Sequence, residues 1–129
     1  MKTSATTLNS SDARVQAAVI SWMCENAGVD TVDQVVEPAV DRVLATGTGD
    51  QVNELRDRVF SSKYTQDSDI IAIVGHYHCT ENDLTCQEAR RAQIHRAMSR
   101  VAQWKMPSHV IGLWLDENWK VQVVDEMLV

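Results

Sequence analysis

Aromatic residues are scarce in this chain of 129 residues: they make up 5% of it, with a single phenylalanine, alongside two prolines and five glycines. So little proline and glycine excludes collagen-like and Pro-rich extended polymers. No apolar run exceeds the five residues from Ile70 to Val74, far short of the ~20 needed to span a bilayer. Positive charge is in deficit, with 12 Lys and Arg against 18 Asp and Glu and a net charge of −6. That balance argues against a broad basic surface for nucleic acid or anionic lipid, so neither is an expected partner. Three cysteines, Cys24, Cys79 and Cys86, form no disulfide framework and suit a reducing cytoplasm. The residues from Met1 to Thr7 carry a lysine with no apolar stretch behind it, so no secretory leader is expected. What is present, 44% hydrophobic and 23% charged residues, is the composition of a soluble globular protein. The length predicts one domain over residues 1–129, able to close its core without covalent staples.

The hydrophobic period switches repeatedly between helical and extended spacing. Val15, Ala18, Val19, Trp22 and Met23 mark one face of a helix, and Gly28 is placed to close it in a left-handed turn. Thr31 to Val36 reads as a β-branched strand stopped by Pro38. Asp50 is a candidate cap for a helix carrying Val52, Leu55, Val59 and Phe60 inward. Asp69 to Val74 is unbroken enough for a strand covered on both faces. A turn-rich segment from Gly75 to Asp83 leads to a helix from about Thr85 to Lys105, with Ile94, Ala97, Met98 and Val101 inward and Pro107 beyond its end. Val110 to Leu115 and Val121 to Val124 pair as a hairpin, and threonine-rich Lys2 to Asn9 is a weaker strand candidate. The order β-α-β-α-β-α-β-β predicts a three-layer α/β fold: a mostly parallel sheet flanked by helices, with a C-terminal antiparallel hairpin strand. Ligand sites in such sheets lie at the carboxyl ends of the strands, which singles out the loops Ser10 to Arg14 and Gly75 to Cys79.

His76-Tyr77-His78-Cys79 follows directly on the buried strand. A histidine and a cysteine three apart in a tight loop offer an imidazole nitrogen and a thiolate to zinc, although a structural zinc site normally has four ligands. At the other loop Asp12 suits a helix N-cap, and Asp12 with Arg14 can also form a dyad in which the guanidinium holds the carboxylate ionised and aimed.

Taken together, Asp12-Ala13-Arg14 and His76-Tyr77-His78-Cys79 resemble the β-class carbonic anhydrases, whose pattern is Cys-x-Asp-x-Arg followed by His-x-x-Cys. The likeness is to a small, minimal-length branch and runs on through Val15-Gln16, Glu37-Pro38, Ile73-Val74-Gly75 and Ile111-Gly112-Leu113-Trp114-Leu115-Asp116-Glu117-Asn118-Trp119. The resemblance implies zinc-dependent interconversion of carbon dioxide and bicarbonate. It implies a metal held by His76, Cys79 and the residue at position 10, with water or hydroxide in the fourth place. Asp12 would orient that hydroxide or swing onto the metal, Arg14 would anchor Asp12, and the chain would work as a homodimer with the site near the subunit boundary. Position 10, however, is Ser10 rather than cysteine, and His78 stands where the close branch has an acidic residue. A serine hydroxyl does not ionise near neutrality and is not an ordinary zinc ligand, so metal affinity should fall. Three outcomes stay open: a substitute ligand (Asp12, His78 or Cys86), weak binding with slow turnover, or an empty site. An empty site would leave a silent homologue acting as a dimeric binding or scaffold protein. A metal site without carbon dioxide hydration would point to a related molecule such as carbonyl sulfide or carbon disulfide.

The other candidates have plainer readings. Cys24 is expected as a small core residue and Cys86 as a packing residue at a helix start. His95 and His109 are read as surface residues. Arg90, Arg91, Arg96, Arg100 and Lys105 are read as a solvated basic face, and Trp104, Trp114 and Trp119 as core or interface fillers. Gly47-Thr48-Gly49 lacks the rest of any phosphate-loop pattern.

Overall fold

A computed structural model describes residues 3–79, 82, 84 and 86–129. Its elements are β1 (Ser4–Asn9), α1 (Ala13–Asn26), β2 (Thr31–Val36), α2 (Val40–Thr46), α3 (Gly49–Gln66), β3 (Ile70–His76), α4 (Gln87–Ala102), β4 (His109–Leu115) and β5 (Val121–Leu128). The five strands form one sheet in the order β2-β1-β3-β4-β5. The first four run parallel and β5 returns antiparallel to β4, which is the expected mixed α/β sheet. Alternation along the strands divides the core in two. Ile71, Ile73, Val110 and Trp114 face a cluster with Leu44, Leu55, Val59, Ile94 and Met98 of α2, α3 and α4. Ala72, Val74, Ile111, Leu113 and Leu115 face Val15, Val19 and Met23 of α1.

The chain steps from β1 outward to β2 and then back to β3 on the other side of β1. The carboxyl ends of β1 and β3 therefore flank the point where the connections change direction, the crevice in which open α/β sheets bind ligands. Helix α4 lies close over this region because glycines make room for it. A Cβ on Gly75 would meet Asp41 Oδ2 at 2.8 Å and Ile94 Cδ1 at 2.9 Å, and one on Gly112 would meet Met98 Sδ at 2.5 Å.

Several sequence expectations change. Helix α2 was not anticipated, since seven residues after Pro38 are too short to show a period. Thr48, not Asp50, caps α3, through a box with Gln51 in which Thr48 Oγ1 accepts the Gln51 N–H and Gln51 Oε1 accepts the Thr48 N–H. Phe60 turns outward and is 53% exposed, its ring tilted at 45° against that of Tyr64. Cys24 is exposed rather than in the core, whereas Arg90 is buried rather than solvated. Gly28 does take a left-handed conformation, φ +67°, just past α1. Lys2, Asp83 and Thr85, named above as segment ends, lie outside the described residues. Among the described residues no helix is long and apolar enough to cross a membrane.

Candidate active site

The turn after β1 is held from within. Thr7 Oγ1 donates to Asn9 Oδ1 at 2.7 Å, Asn9 Nδ2 donates to the Ser10 carbonyl at 2.9 Å, and Ser10 Oγ accepts the Asp12 backbone N–H at 3.2 Å. Asp12 then caps α1, its Oδ1 accepting the Arg14 backbone N–H at 2.9 Å. The same carboxylate receives Arg14 Nε at 3.2 Å and Nη2 at 3.0 Å, one donor to each oxygen. These bonds, the guanidinium's first and the backbone's second, hold the Asp12 carboxyl below the ordinary aspartate range. The capping role and the dyad coexist.

Arg14 has a second support. Its guanidinium lies 4.2 Å from the centre of the Trp119 ring, a cation–π distance. Trp119 in turn stacks on His78, with centroids 4.7 Å apart and planes at 16°. The turn between β4 and β5 presents Trp119 in a left-handed conformation, φ 62°. That turn is pinned by the Asp116 carboxylate, which accepts the backbone N–H groups of Asn118 and Lys120 at 2.8 and 3.0 Å. His78 Nε2 lies 3.0 Å from the Glu117 carbonyl and closes the same corner.

His76 ends β3 and is 6% exposed. Burial first, then the nearby Arg90 charge, pushes its pKa from 6.5 down to about 4, so the ring is neutral at physiological pH with a lone pair free. Its carbonyl accepts Arg90 Nη2 at 2.9 Å. Arg90 also lies 3.5 Å from Asp41 in an ion pair whose side chains are 3% and 2% exposed, so α2 and α4 are tied together behind β3. Burial raises the Asp41 carboxyl above its ordinary range, against the lowering effect of Arg90.

Ser10, Ser11, Asp12, His76, His78 and Cys79 share the walls of one cavity of about 250 Å³, with Pro38 and Ala39 completing it. Both sequence-selected loops thus meet at the sheet's carboxyl edge. Arg14 reaches the group through Asp12. Cys86 stands at the start of α4, with no side-chain cap bond, and is exposed. His95 and His109 approach Asp125 and Glu126 at the surface instead. Among the described residues no three His, Cys, Asp or Glu side chains are grouped to hold a metal ion.

A family model described as "Putative carbonic anhydrase" matches residues 1–125. The chain belongs to this carbonic anhydrase family. No curated protein matches the chain as a relative.

Four contributors escaped the sequence reading. Trp119 braces Arg14 rather than filling a core, and nothing local in the sequence announces that. Pro38 and Ala39 line the cavity. Arg90 did leave a signal: it stands four residues before Ile94, on the stripe that continues through Ala97, Met98 and Val101, so helical spacing already places it inward.

Proposed function

We propose that the protein catalyses the reversible hydration of carbon dioxide to bicarbonate, with a zinc ion in the cavity at the carboxyl ends of β1 and β3. The observation that supports this most is that His76, Cys79 and the Arg14-clamped Asp12 all belong to one cavity, in a chain of the carbonic anhydrase family. The donor chemistry fits zinc at two positions: His76 is neutral, as ligation requires, and Cys79 supplies a half-buried sulfur. Catalytic zinc sites usually have three protein ligands, and Ser10 is a poor third, its hydroxyl already accepting the Asp12 N–H. Asp12 is the remaining acid on the cavity wall. On leaving Arg14 it would supply the third donor, while Arg14 kept its stack on Trp119. The chemistry zinc supplies is acidification of water, from about 15.7 to about 7, so that hydroxide is available at neutral pH.

The protein's own part is orientation. In the clamped state the Asp12 carboxylate is ionised and acts only as an acceptor. It would take a hydrogen bond from the attacking oxygen and leave that oxygen's lone pair free for the carbon. As the new C–O bond formed, one C=O π pair of carbon dioxide would move onto its oxygen as the charge of bicarbonate, and the proton lost by water would pass to solvent. Exposed Ser11 and His78 on the rim leave the cavity open to water, and we take the working unit to be a homodimer in which a second copy walls it. Sedimentation equilibrium should give twice the chain mass of 14.5 kDa; a single-chain mass would contradict this. Free Cys24, Cys79 and Cys86 suit a cytoplasmic setting.

A second reading, the silent homologue, is favoured by one observation: Ser10 and Asp12 are both engaged in protein contacts. Stopped-flow hydration of carbon dioxide by the zinc-supplemented parent and its Ser10→Cys variant separates the two. The expected result is activity in the parent, with zinc bound at least about tenfold more tightly by the variant, which regains an anionic ligand. Metal and activity in the variant alone would establish the silent homologue. Metal in both without hydration would turn attention to carbonyl sulfide or carbon disulfide.

A further inference from the structure

Trp119 occupies a backbone conformation that a bulky side chain rarely takes. Its φ is 62°, in the left-handed region that glycine enters freely and large residues enter under strain. It closes the turn over residues 116–120, where its N–H donates to the Asp116 carbonyl at 3.0 Å. The left-handed position of a short hairpin turn ordinarily falls to glycine. Strain of this kind persists where the surroundings over-determine it, and it gathers at functional sites. Here the strained residue presents a ring to two other loops. On the β3 side the ring stacks on His78, with centroids 4.7 Å apart. On the α1 side it meets Arg14, whose guanidinium carbon is 4.2 Å from the ring centre. The turn is fixed to the β3 side in two further places. Tyr77 N–H donates to the Leu115 carbonyl at 2.9 Å, and His78 Nε2 lies 3.0 Å from the Glu117 carbonyl. Trp119 is therefore anchored to the loop that carries His76 and Cys79, and it reaches Arg14 from there.

Arg14 has reason to need that support. Its side chain is 66% exposed, against 27% for Asp12. An exposed ion pair contributes little, because ordering a long side chain in one geometry offsets the attraction. Both side-chain bonds to Asp12, from Nε at 3.2 Å and from Nη2 at 3.0 Å, require the planar fork to hold one orientation. A ring lying against the guanidinium imposes that orientation in advance.

We propose that Trp119 is a positioning residue: anchored on the β3 loop through His78, its ring pre-orders the Arg14 guanidinium and so biases Asp12 towards the clamped orientation. The left-handed strain of the β4–β5 turn is thereby spent on the site rather than on the hairpin. The clamped orientation is the one in which Asp12 would accept a hydrogen bond from the attacking oxygen, so the consequence for turnover rests on the hydration reading above. The ordering of Arg14 does not rest on it and can be measured in metal-free protein.

The test follows the Arg14 side-chain Nε–H in proton–nitrogen NMR spectra of the chelator-treated full chain. In the parent its order parameter should approach that of rigid backbone, about 0.85. Arg56, which pairs with Asp57 at 3.4 Å and is 44% exposed, should fall below about 0.6. Trp119→Gly suits the left-handed turn and removes the ring. It should speed exchange of the Arg14 Nε–H with water about two- to fivefold, what a cation–π contact at an exposed site contributes. Trp119→Phe, which keeps an aromatic face, should restore most of the protection. An Arg14 as mobile as Arg56 in the parent would overturn the proposal, and this comparison alone decides if Trp119→Gly does not fold. Parent-like exchange in folded Trp119→Gly, or equally fast exchange in Trp119→Phe, would overturn it too. In zinc-supplemented protein Trp119→Gly should lower kcat and kcat/KM together by the same two- to fivefold, with KM and zinc content unchanged. Unchanged kcat beside an active parent would overturn the link to turnover. A parent without hydration activity would overturn the hydration reading and that link with it, while the Arg14 measurements still decide the role of Trp119.

Discussion

His76 carries a testable consequence in the metal-free protein. Its pKa is pushed down to about 4 because the protonated ring would be buried beside Arg90, whereas in the unfolded chain it titrates near 6.5. Between those values the unfolded state binds the extra proton, so stability is full above pH 6.5 and declines as pH falls toward 4. The loss should be on the order of 3 kcal/mol, read as the difference between chelator-treated parent and His76→Asn in urea denaturation at several pH values. Equal pH slopes in the two proteins would contradict it. The same residue shows what a sequence can disclose. His76, Cys79, Asp12 and Ser10 were legible as neighbours around one cavity because His76 closes β3 and the other three follow a strand end, and parallel neighbouring strands deliver their ends to one edge. Trp119 and Asp41 were not, because their partners Arg14 and Arg90 are far along the chain and only the folded turn and helix bring them together.

At the level of elements, the fit of α4 to the sheet decides how firmly the His76 loop is held. Ile94 and Met98 pack where Gly75 and Gly112 lack side chains. Gly112→Ala would place a methyl group 2.5 Å from Met98 Sδ and 2.8 Å from Ile94 Cγ2. It should destabilise the protein by about 1–3 kcal/mol, the usual effect of overpacking; thermal unfolding at unchanged stability would contradict this close packing. Strands β2, β3 and β4 were readable from β-branched or unbroken apolar runs, and α1 and α4 from their stripes. Helix α2 was hidden because seven residues span barely two turns. The cap of α3 fell on Thr48 because Thr48 and Gln51 have the Ser/Thr-x-x-Glu/Gln spacing that closes a box, and Asp50 stands inside the first turn.

Across the whole molecule, the reversal of strand order between β1 and β3 builds the cavity, and the two-sided core fixes it. The family relation spans that entire framework, residues 1–125, so Ser10, which the proposed function sets where a zinc ligand would stand, lies within an intact scaffold. The buried Arg90–Asp41 pair links α2 and α4 behind the site, and the Arg14–Trp119–His78 stack braces it in front. Whether this scaffold still grips a metal is the question on which the functional reading turns. Elemental analysis of the full chain, purified without chelator and supplemented with zinc, measures it directly beside a Cys79→Ser variant. The account predicts about one zinc per chain in the parent and a marked loss in the variant; less than about a tenth of an equivalent in the parent would contradict it.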